Sequence, residues 1–243
     1  MDERGQPLST KSPDRRRKAM NITHFGHACV LVELPGEAAS RRILFDPGTY
    51  SQDFEDLTDL DLILITHAHP DHLDIPRLTT LLAANPAARL IVGQDTLAAL
   101  DHPDHPDTMR RPAHVAQPGQ KLSVLGHDIV VTGGEHACVH SALPASKNVG
   151  YLIDDAVFHP GDAFDEIATT VDVLLLPIGG PWMKIGEGID YLRSIAPRVV
   201  VPIHQAGLAP AHQNMHCQLL KNLAPASTEV LVLDHATMRT ISP

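Results

Sequence analysis

The stretch "LDLILITHAHPDHLD", residues 60–74, places an aliphatic run directly before three histidines and two aspartates. The run has no polar alternation, which predicts a strand buried on both faces. His67 and His69 are two residues apart, so in an extended segment both side chains reach one metal ion. A proline then interrupts the strand, and Asp71 and His72 follow in a turn that faces another direction. The spacing predicts two neighbouring metal ions with imidazole and carboxylate ligands, as zinc prefers.

A site made from this loop alone lacks ligands, and three other predicted strands lead into suitable residues. The segment "GGEHACVH" offers His136 and His140, "FHPGDAF" offers Asp162, and "VVVPIHQ" offers His204. His136 follows the strand "HDIVVT" and its glycine pair, whereas His140 lies a further turn of chain away. We therefore favour His136 as the metal ligand and expect His140 to line the pocket and bind substrate, with the reverse assignment left open.

Short strand-like runs alternate with loops and a few helices from Met20 onward, ending with "EVLVLD" near the C-terminus. Helices are predicted over 75–85, 94–101, 186–196 and 213–224. A hairpin is predicted about Gly126. Runs such as "DLILIT", "DVLLLPI" and "RVVVPI" are almost entirely apolar, which indicates sheets enclosed between layers of other structure. Residues 1–19 are polar and basic, so we expect a disordered basic tail ahead of one domain over 20–243.

The charge balance and the cysteines narrow the class of protein. The formal net charge is −10 and no basic groove is visible, so nucleic acid is not an expected partner. The three cysteines lie far apart, which fits a reducing compartment better than a disulfide framework. We see neither the apolar region of a secretory signal nor the roughly 18 apolar residues of a membrane span. A cytoplasmic protein that acts on a small molecule is expected; an oligomer is compatible with these features.

The intact H-x-H-x-D-H motif at 67–72, with the strand-end residues above, resembles the signature of the metallo-β-lactamase superfamily over about residues 20–235. The resemblance implies an α/β fold, a four-layered αβ/βα sandwich, with the metals at one edge between the two sheets. It also implies two sets of metal ligands and one bridging carboxylate: His67, His69 and His136; Asp71, His72 and His204; and Asp162 between them.

A narrower resemblance rests on short segments along the chain. They are "NITHFGHACVLVE", "ILFDP", "NVGYLID", "FHPGDAF", "LLLPIGGPW" and "VVVPIH". These segments look like the bacterial branch that contains the ascorbate-6-phosphate lactonase and the N-acylphosphatidylethanolamine phospholipase D type enzymes. They indicate the branch and leave the substrate open.

The expected activity is that of a binuclear metal-dependent hydrolase. Two divalent ions, zinc or else manganese, would share a hydroxide that attacks an ester, lactone or phosphodiester of a small substrate. Asp71 would orient the attacking water or accept its proton, and Asp162 would hold the ions together. The alternatives are a nuclease of the ribonuclease Z type and a non-catalytic, metal-stabilised binding protein. A diiron redox protein is disfavoured because His69 stands where such members usually carry Glu.

Several further residues are expected around the metals. Asp46 in "ILFDP" would fix a ligand imidazole through its second nitrogen, or else serve as a turn or cap residue. His27 is expected close to the metals or in the pocket. Trp182, after two glycines, would form a pocket wall, and Lys184 would meet an anionic substrate. The ligand-rich segment "DHPDHPD" at 101–107 contains two prolines and predicts a surface loop instead of a metal site.

Overall fold

The fold is built on two seven-stranded sheets. A computed structural model describes residues 19–37, 39–102 and 112–243. The expected tail, apart from residue 19, and most of the segment 101–107 lie outside the described residues. In chain order the elements are β1 (Met20–His24), β2 (Val30–Leu34), β3 (Arg41–Phe45), β4 (Leu62–Ile65), α1 (Ile75–Ala84), β5 (Arg89–Val92), α2 (Gln94–Leu100), β6 (Ala113–Val115), β7 (Lys121–Val124), β8 (His127–Gly133), β9 (Val149–Ile153), β10 (Val157–His159), β11 (Val173–Pro177), α3 (Ile185–Ile195), β12 (Val199–Ile203), α4 (Pro210–Leu223), β13 (Glu229–Val230) and β14 (Arg239–Ile241).

The two sheets repeat one pattern of pairing. The first has the order β14-β1-β2-β3-β4-β5-β6 and the second β13-β12-β11-β10-β9-β8-β7. In the first sheet β3 to β6 are parallel to one another, and in the second β10 to β13 are parallel. The remaining pairs are antiparallel. Parallel strands deliver their carboxyl ends to one edge of a sheet, and this is where the ligand-type residues follow.

Three apolar clusters divide the molecule into four layers. The central cluster lies between the sheets and includes Val32, Leu64, Tyr151 and Val201. A second packs the first sheet against α1 and α2, and a third packs the other sheet against α3 and α4. Every residue of β4, β11 and β12 is buried, because both faces of these strands are covered. The predicted four-layered αβ/βα sandwich is confirmed.

The predicted helices and the predicted hairpin are found where the spacing of apolar residues or the turn signal is clear. All four predicted helices are found among the described residues, although α4 begins at Pro210, whose fixed φ suits the first helical turn. The predicted hairpin joins β7 to β8, and its turn residues Leu125 and Gly126 have φ values of 55° and 86°. The predicted strand at 229–234 is wrong in length, since only Glu229–Val230 pairs with β12.

Three short strands at the sheet margins escaped the sequence reading: β1, β6 and β14. Each has at most five residues and mixes polar with apolar side chains, so its pairing depends on neighbouring strands. Within the described residues, every helix is too short or too polar to cross a membrane.

Candidate metal centre

The ligand-type residues converge where the carboxyl ends of strands from both sheets meet. The H-x-H-x-D-H segment follows β4, Asp162 follows β10, and His204 directly follows β12. His136 comes from the other direction, three residues after the end of the antiparallel strand β8. Three groups place their ligand atoms within 4.8 Å of one another: His67, His69 and His136; His27, Asp71, His72 and His204; and His67, His72 and Asp162.

Asp162 lies between these groups. Its Oδ1 is 3.1 Å from Nε2 of His72, and its Oδ2 is 3.1 Å from Nε2 of His204 and 3.4 Å from Nε2 of His136. The indole Nε1–H of Trp182 donates to Oδ2 at 2.8 Å. One buried carboxylate therefore faces imidazoles from both sides, which is the placement that a bridging ligand requires.

Buried polar atoms without partners show that this cavity suits a metal. Nε2 of four histidines and Oδ1 of Asp162 are buried and have no hydrogen-bond partner among the described residues: His67, His72, His136 and His204. Proteins rarely leave such atoms unsatisfied. Nε2 of His72 and Oδ1 of Asp162 are 3.1 Å apart but lack hydrogen-bond geometry, as expected for two atoms that would bind the same metal ion. Imidazole nitrogens and carboxylate oxygens are the donor set of zinc and similar divalent ions.

The outward nitrogens of these rings are held by the protein. Nδ1 of His136 donates to the Ala137 carbonyl at 2.6 Å, and Nδ1 of His204 donates to the Gly179 carbonyl. Nδ1 of His67 lies 3.0 Å from Oγ1 of Thr66. A hydrogen on Nδ1 leaves the lone pair of a neutral imidazole on Nε2, which points inward, so these contacts orient the rings for metal binding.

Asp46 makes the contact that was expected of it. This fully buried residue accepts hydrogen bonds on Oδ1 from the Thr66 amide at 2.8 Å and on Oδ2 from the Thr66 hydroxyl at 2.7 Å. Its Oδ2 also accepts from Nδ1 of His72 at 2.8 Å. The alternative role in a local turn does not account for these bonds, which tie the end of β3 to the end of β4 and orient one imidazole of the centre.

His27 contacts both an acid and a ring of the centre. Its Nδ1 accepts from the Ala206 amide at 3.3 Å, so the ring proton lies on Nε2, which donates to Oδ2 of Asp71 at 3.0 Å. The His27 and His204 ring centroids are 3.9 Å apart. Burial lowers the pKa of His27 to about 4, which keeps the ring neutral near pH 7. In this tautomer His27 is a hydrogen-bond donor to Asp71.

The charge balance of the centre calls for cations. Burial alone would raise the pKa of Asp162, but the charge of His72 and the close approach of the His136 and His204 rings hold it well below its usual range. Burial alone would lower the pKa of His204, but the close approach and charge of Asp162 raise it to about 9. The pKa of His72 is likewise raised, against burial, by Asp162 and Asp46. The carboxylates thus hold protons on these imidazoles, and divalent ions would replace those protons.

Three residues were predicted to contact the substrate: His140, Trp182 and Lys184. His140 is exposed, and its Nδ1 accepts from the Ala142 amide, so the structure brings His136 and not His140 to the cluster. Lys184 is exposed at the start of α3, where its amide donates to Glu187. Trp182 is buried beside the centre, where its indole donates to Asp162, and it is not among the residues that line the cleft described below.

A cleft of about 350 Å³ opens beside the second group of ligands. Its lining consists of His27, Thr49, Tyr50, Pro70, Asp71, Gly179, Gly180, Pro181, His204 and Gly207. Asp71 reaches this cleft with a side chain 24% exposed, whereas that of Asp162 is 4% exposed. The two acids therefore differ in access, and only Asp71 can meet a substrate directly.

Sequence reasoning missed Tyr50 and the loop that carries it. The loop follows β3, and its only signal was its position directly after Asp46 in "FDPGTYS". Gly48 is needed there, because a Cβ at this position would lie 1.9 Å from the Asp71 carbonyl oxygen. The amide of Thr49 donates to the Pro70 carbonyl at 2.8 Å. This close approach holds the Tyr50 loop against the H-x-H-x-D-H segment.

Comparisons with known proteins agree with this geometry. Residues 21–204 match the family model described as "Beta-lactamase superfamily domain". The chain is 43% identical to "Protein Rv0786c" of Mycobacterium tuberculosis, over 87% of this chain and 96% of that protein. It is 28% identical to "UPF0173 metal-dependent hydrolase PH1671" of Pyrococcus horikoshii, over 88% of this chain and 96% of that protein. The solved structure of Igni18, a metallo hydrolase from Ignicoccus hospitalis, superposes with a TM-score of 0.69 at 24% identity, over 93% of this chain and 99% of that one.

Proposed function

This chain belongs to the beta-lactamase superfamily, in which its relatives include proteins named metal-dependent hydrolases, and we propose that it is a binuclear enzyme that hydrolyses an ester, a lactone or a phosphodiester of a small substrate. The observation that carries the proposal is the set of buried ligand atoms around Asp162. Four imidazole Nε2 atoms and one carboxylate oxygen have no hydrogen-bond partner among the described residues. The Nδ1 atom of each of these rings and Oδ2 of Asp162 do contact neighbouring protein groups.

The proposed ligands form two sets that share one acid. The first ion would be held by His67, His69 and His136, and the second by Asp71, His72 and His204, with Asp162 common to both. The three groups of converging ligand atoms support this division. Zinc suits the donor set, and manganese is the alternative. When bound, such ions lower the pKa of a coordinated water and polarise the bond to be cleaved.

The protein's own acids would have separate tasks. Asp71 is the one that faces the cleft, so it would orient the attacking water and take up its proton. The neutral His27 donates to Oδ2 of Asp71 and would keep that carboxylate in one orientation. Asp162 is closed off from the cleft by burial, and its hydrogen bond from Trp182 would fix it while it balances the charge of two cations.

We place the enzyme, as part of the same proposal, in the branch of the ascorbate-6-phosphate lactonase and N-acylphosphatidylethanolamine phospholipase D type enzymes. The segments "ILFDP" and "LLLPIGGPW" support this placement, since they supply Asp46, Gly179 and Trp182 around the centre. The branch contains both carboxylic ester or lactone chemistry and phosphodiester chemistry. The reacting bond of this enzyme therefore has to be found by experiment.

The experiment is a substrate panel run on matched metal states. Purified protein is stripped with a chelator, reloaded with zinc or manganese, and assayed with lactones, acyl esters, phosphodiesters and RNA. Hydrolysis is expected only in the reloaded protein, and Asp162→Asn should abolish most of it. Asp172→Asn is the control, because this acid is similarly buried but pairs with Arg198 away from the centre.

Each outcome supports or contradicts one of the candidate functions. Cleavage of RNA alone would support a nuclease of the ribonuclease Z type. Protein that holds two ions and cleaves no member of the panel would contradict the hydrolase proposal and favour a metal-stabilised binding protein. Equal activity of the stripped and reloaded protein would show that the centre is not the site of reaction.

A further inference from the structure

The charged side chains of the cleft belong to the centre, among the described residues. The lining contains four ionisable groups: His27, Asp71 and His204, which belong to the centre or contact it, and the phenol of Tyr50. The other lining residues are uncharged, and no lysine or arginine lines the cleft in the part of the chain that the structure describes. A bound group that extends away from the centre would therefore meet neutral surface, the carboxylate of Asp71 and the ring of His204, which becomes neutral when a divalent ion replaces its proton.

The arginine that contacts the loop of Tyr50, Arg77, is already engaged. Arg77 donates from Nε to Glu55 at 2.6 Å and from Nη2 to the Ser51 carbonyl at 2.7 Å. Its guanidinium also lies 4.2 Å from the centre of the Phe54 ring. These contacts hold the loop from below and leave Arg77 unsuited to meet an anion in the cleft. A charged group placed there would lose its hydration without a compensating partner, which is costly.

One wall of the cleft is formed by an aromatic side chain. Tyr50 is 56% exposed, and its ring stands edge-on to the His27 ring with 5.2 Å between centroids. The backbone around it is fixed, because Oγ of the next residue, Ser51, donates to the Gly26 carbonyl at 2.9 Å. Arg77 holds the Ser51 carbonyl from the other side. Tyr50 is thus presented on a rigid loop at the mouth of the cleft.

Another wall of the cleft consists of Gly179, Gly180 and Pro181, and the Gly179 carbonyl accepts a hydrogen bond from His204. A Cβ on Gly179 would lie 2.7 Å from the side chain of Leu208, and one on Gly180 would lie 2.7 Å from the Trp182 indole. Neither glycine can take a side chain unless a neighbour moves, so this wall offers only backbone and the apolar proline ring. A cleft of about 350 Å³ with such a lining accommodates a small apolar chain or ring.

We propose that Tyr50 selects the substrate of this enzyme, and that the non-reacting part of the substrate is an uncharged apolar group that packs between Tyr50 and the Gly179–Pro181 wall. The inference rests on the proposed hydrolase function and narrows it. It disfavours substrates with a phosphate or carboxylate on the non-reacting part, because no lysine or arginine lines the cleft among the described residues. It also replaces the expectation that Lys184 meets an anionic substrate.

Turnover is tested with two esters of nearly equal shape. p-Nitrophenyl butyrate and mono-p-nitrophenyl succinate share the leaving group and differ by a terminal methyl against a terminal carboxylate. The rate measured without enzyme is subtracted for each ester, and for the succinate it includes attack of its own carboxylate on the ester, which forms the cyclic anhydride and releases p-nitrophenolate. The corrected kcat/KM should favour the butyrate by about tenfold or more, since the carboxylate would be buried without a partner. Tyr50→Ala should raise KM for the butyrate by about fivefold to tenfold through loss of aromatic contact. Tyr50→Lys should shift the preference toward the succinate.

Binding is tested separately, so that a failure of the hydrolase proposal can be recognised. Butyranilide and succinanilic acid are the corresponding stable amides, and their binding to the chelator-stripped and zinc-loaded protein is followed by ligand-observed NMR. Wild type should bind butyranilide and not succinanilic acid, and Tyr50→Ala should lose the binding. Met238→Ala is the control, because Met238 is 55% exposed and lies outside the cleft lining.

The outcomes separate the two proposals. Binding of butyranilide with the expected Tyr50 dependence, but without hydrolysis of any ester, would overturn the hydrolase proposal and leave the cleft assignment standing. Equal binding of the two amides, binding of neither, or wild-type affinity in Tyr50→Ala would each overturn the assignment of Tyr50 and of the neutral substrate.

Discussion

Replacement of Asp46 by Asn changes the hydrogen-bonding pattern around His72 while keeping the shape of the side chain. Asp46 offers only acceptors, two to Thr66 and one to His72. Asn has one acceptor oxygen and one NH2 group. If the oxygen stays on the Thr66 amide, the NH2 group faces Nδ1 of His72, which must then become an acceptor. The ring proton moves to Nε2, the atom that would bind the metal.

The opposite orientation of the introduced amide is no better in a buried pocket, because its NH2 group would then meet the Thr66 amide hydrogen. Either orientation breaks one hydrogen bond to a charged acceptor, which is worth about 1.5–3 kcal/mol. At about 1.4 kcal/mol per factor of ten, this corresponds to a loss of about 10- to 150-fold in affinity for the ion at His72. The range agrees with the roughly 10- to 100-fold effect of residues that orient metal ligands.

The assay is a competition titration of stripped protein with zinc against a chromophoric chelator, combined with elemental analysis. One of two bound equivalents should weaken in Asp46→Asn, and the other should be retained. Asp53→Asn is a control matched in the change of charge and in backbone conformation. Both acids have positive φ, 43° for Asp46 and 63° for Asp53, so Asn suits the backbone at each position. Asp53 pairs with His235 at the surface and lies outside the centre.

An Asp46→Asn variant that binds both equivalents within about threefold of the wild-type affinity would refute the reasoning, because the loss of a residue that orients a metal ligand has a larger effect than that. Equal weakening in Asp53→Asn would show that net charge is responsible and not the orientation of His72. Loss of both metal equivalents together with a large drop in the melting temperature would indicate that the main role of Asp46 is to stabilise the fold.

Four further outcomes are expected. His136→Ala should lose bound metal and activity together while His140→Ala keeps its metal, as read by elemental analysis; metal loss in His140→Ala alone would reverse the assignment. Asp162→Asn should retain at most one tightly held ion, because the charge shared by two cations is gone, and an unchanged content of two would contradict bridging. Trp182→Phe, which removes the indole donor to Asp162, should weaken zinc affinity by about tenfold or more in the chelator assay; wild-type affinity would exclude that role. Because the pKa of His204 is about 9 in the metal-free centre, zinc binding should release a proton there below pH 9, and affinity should fall as pH falls; calorimetry in buffers of different ionisation enthalpy should detect more proton release at pH 7 than at pH 10.

Much of the fold and of the ligand set could be predicted because its physical causes are local. The aliphatic run before His67 identifies a doubly covered strand, since alternation along a strand decides which faces are apolar. The same rule identifies the strands before Asp162 and His204. Parallel strands bring their carboxyl ends to one edge, so residues that follow such strands meet there whatever separates them in the chain. His136 could be chosen over His140 for a similar reason, its shorter distance from the end of a strand.

Only the tertiary structure decided which side chains touch around that ligand set. The hydrogen bond from Trp182 to Asp162, the donation from His27 to Asp71 and the position of Tyr50 at the cleft depend on how separate loops pack. The contact between His27 and Asp71 joins residues 44 positions apart, and no local pattern in the sequence encodes it. The sequence by itself determined which strands carry ligand-type residues to the edge of the sheets, because strand burial and direction follow from local pattern. The orientation of each ring, the access of each acid and the neutral lining of the cleft were set by packing between distant segments.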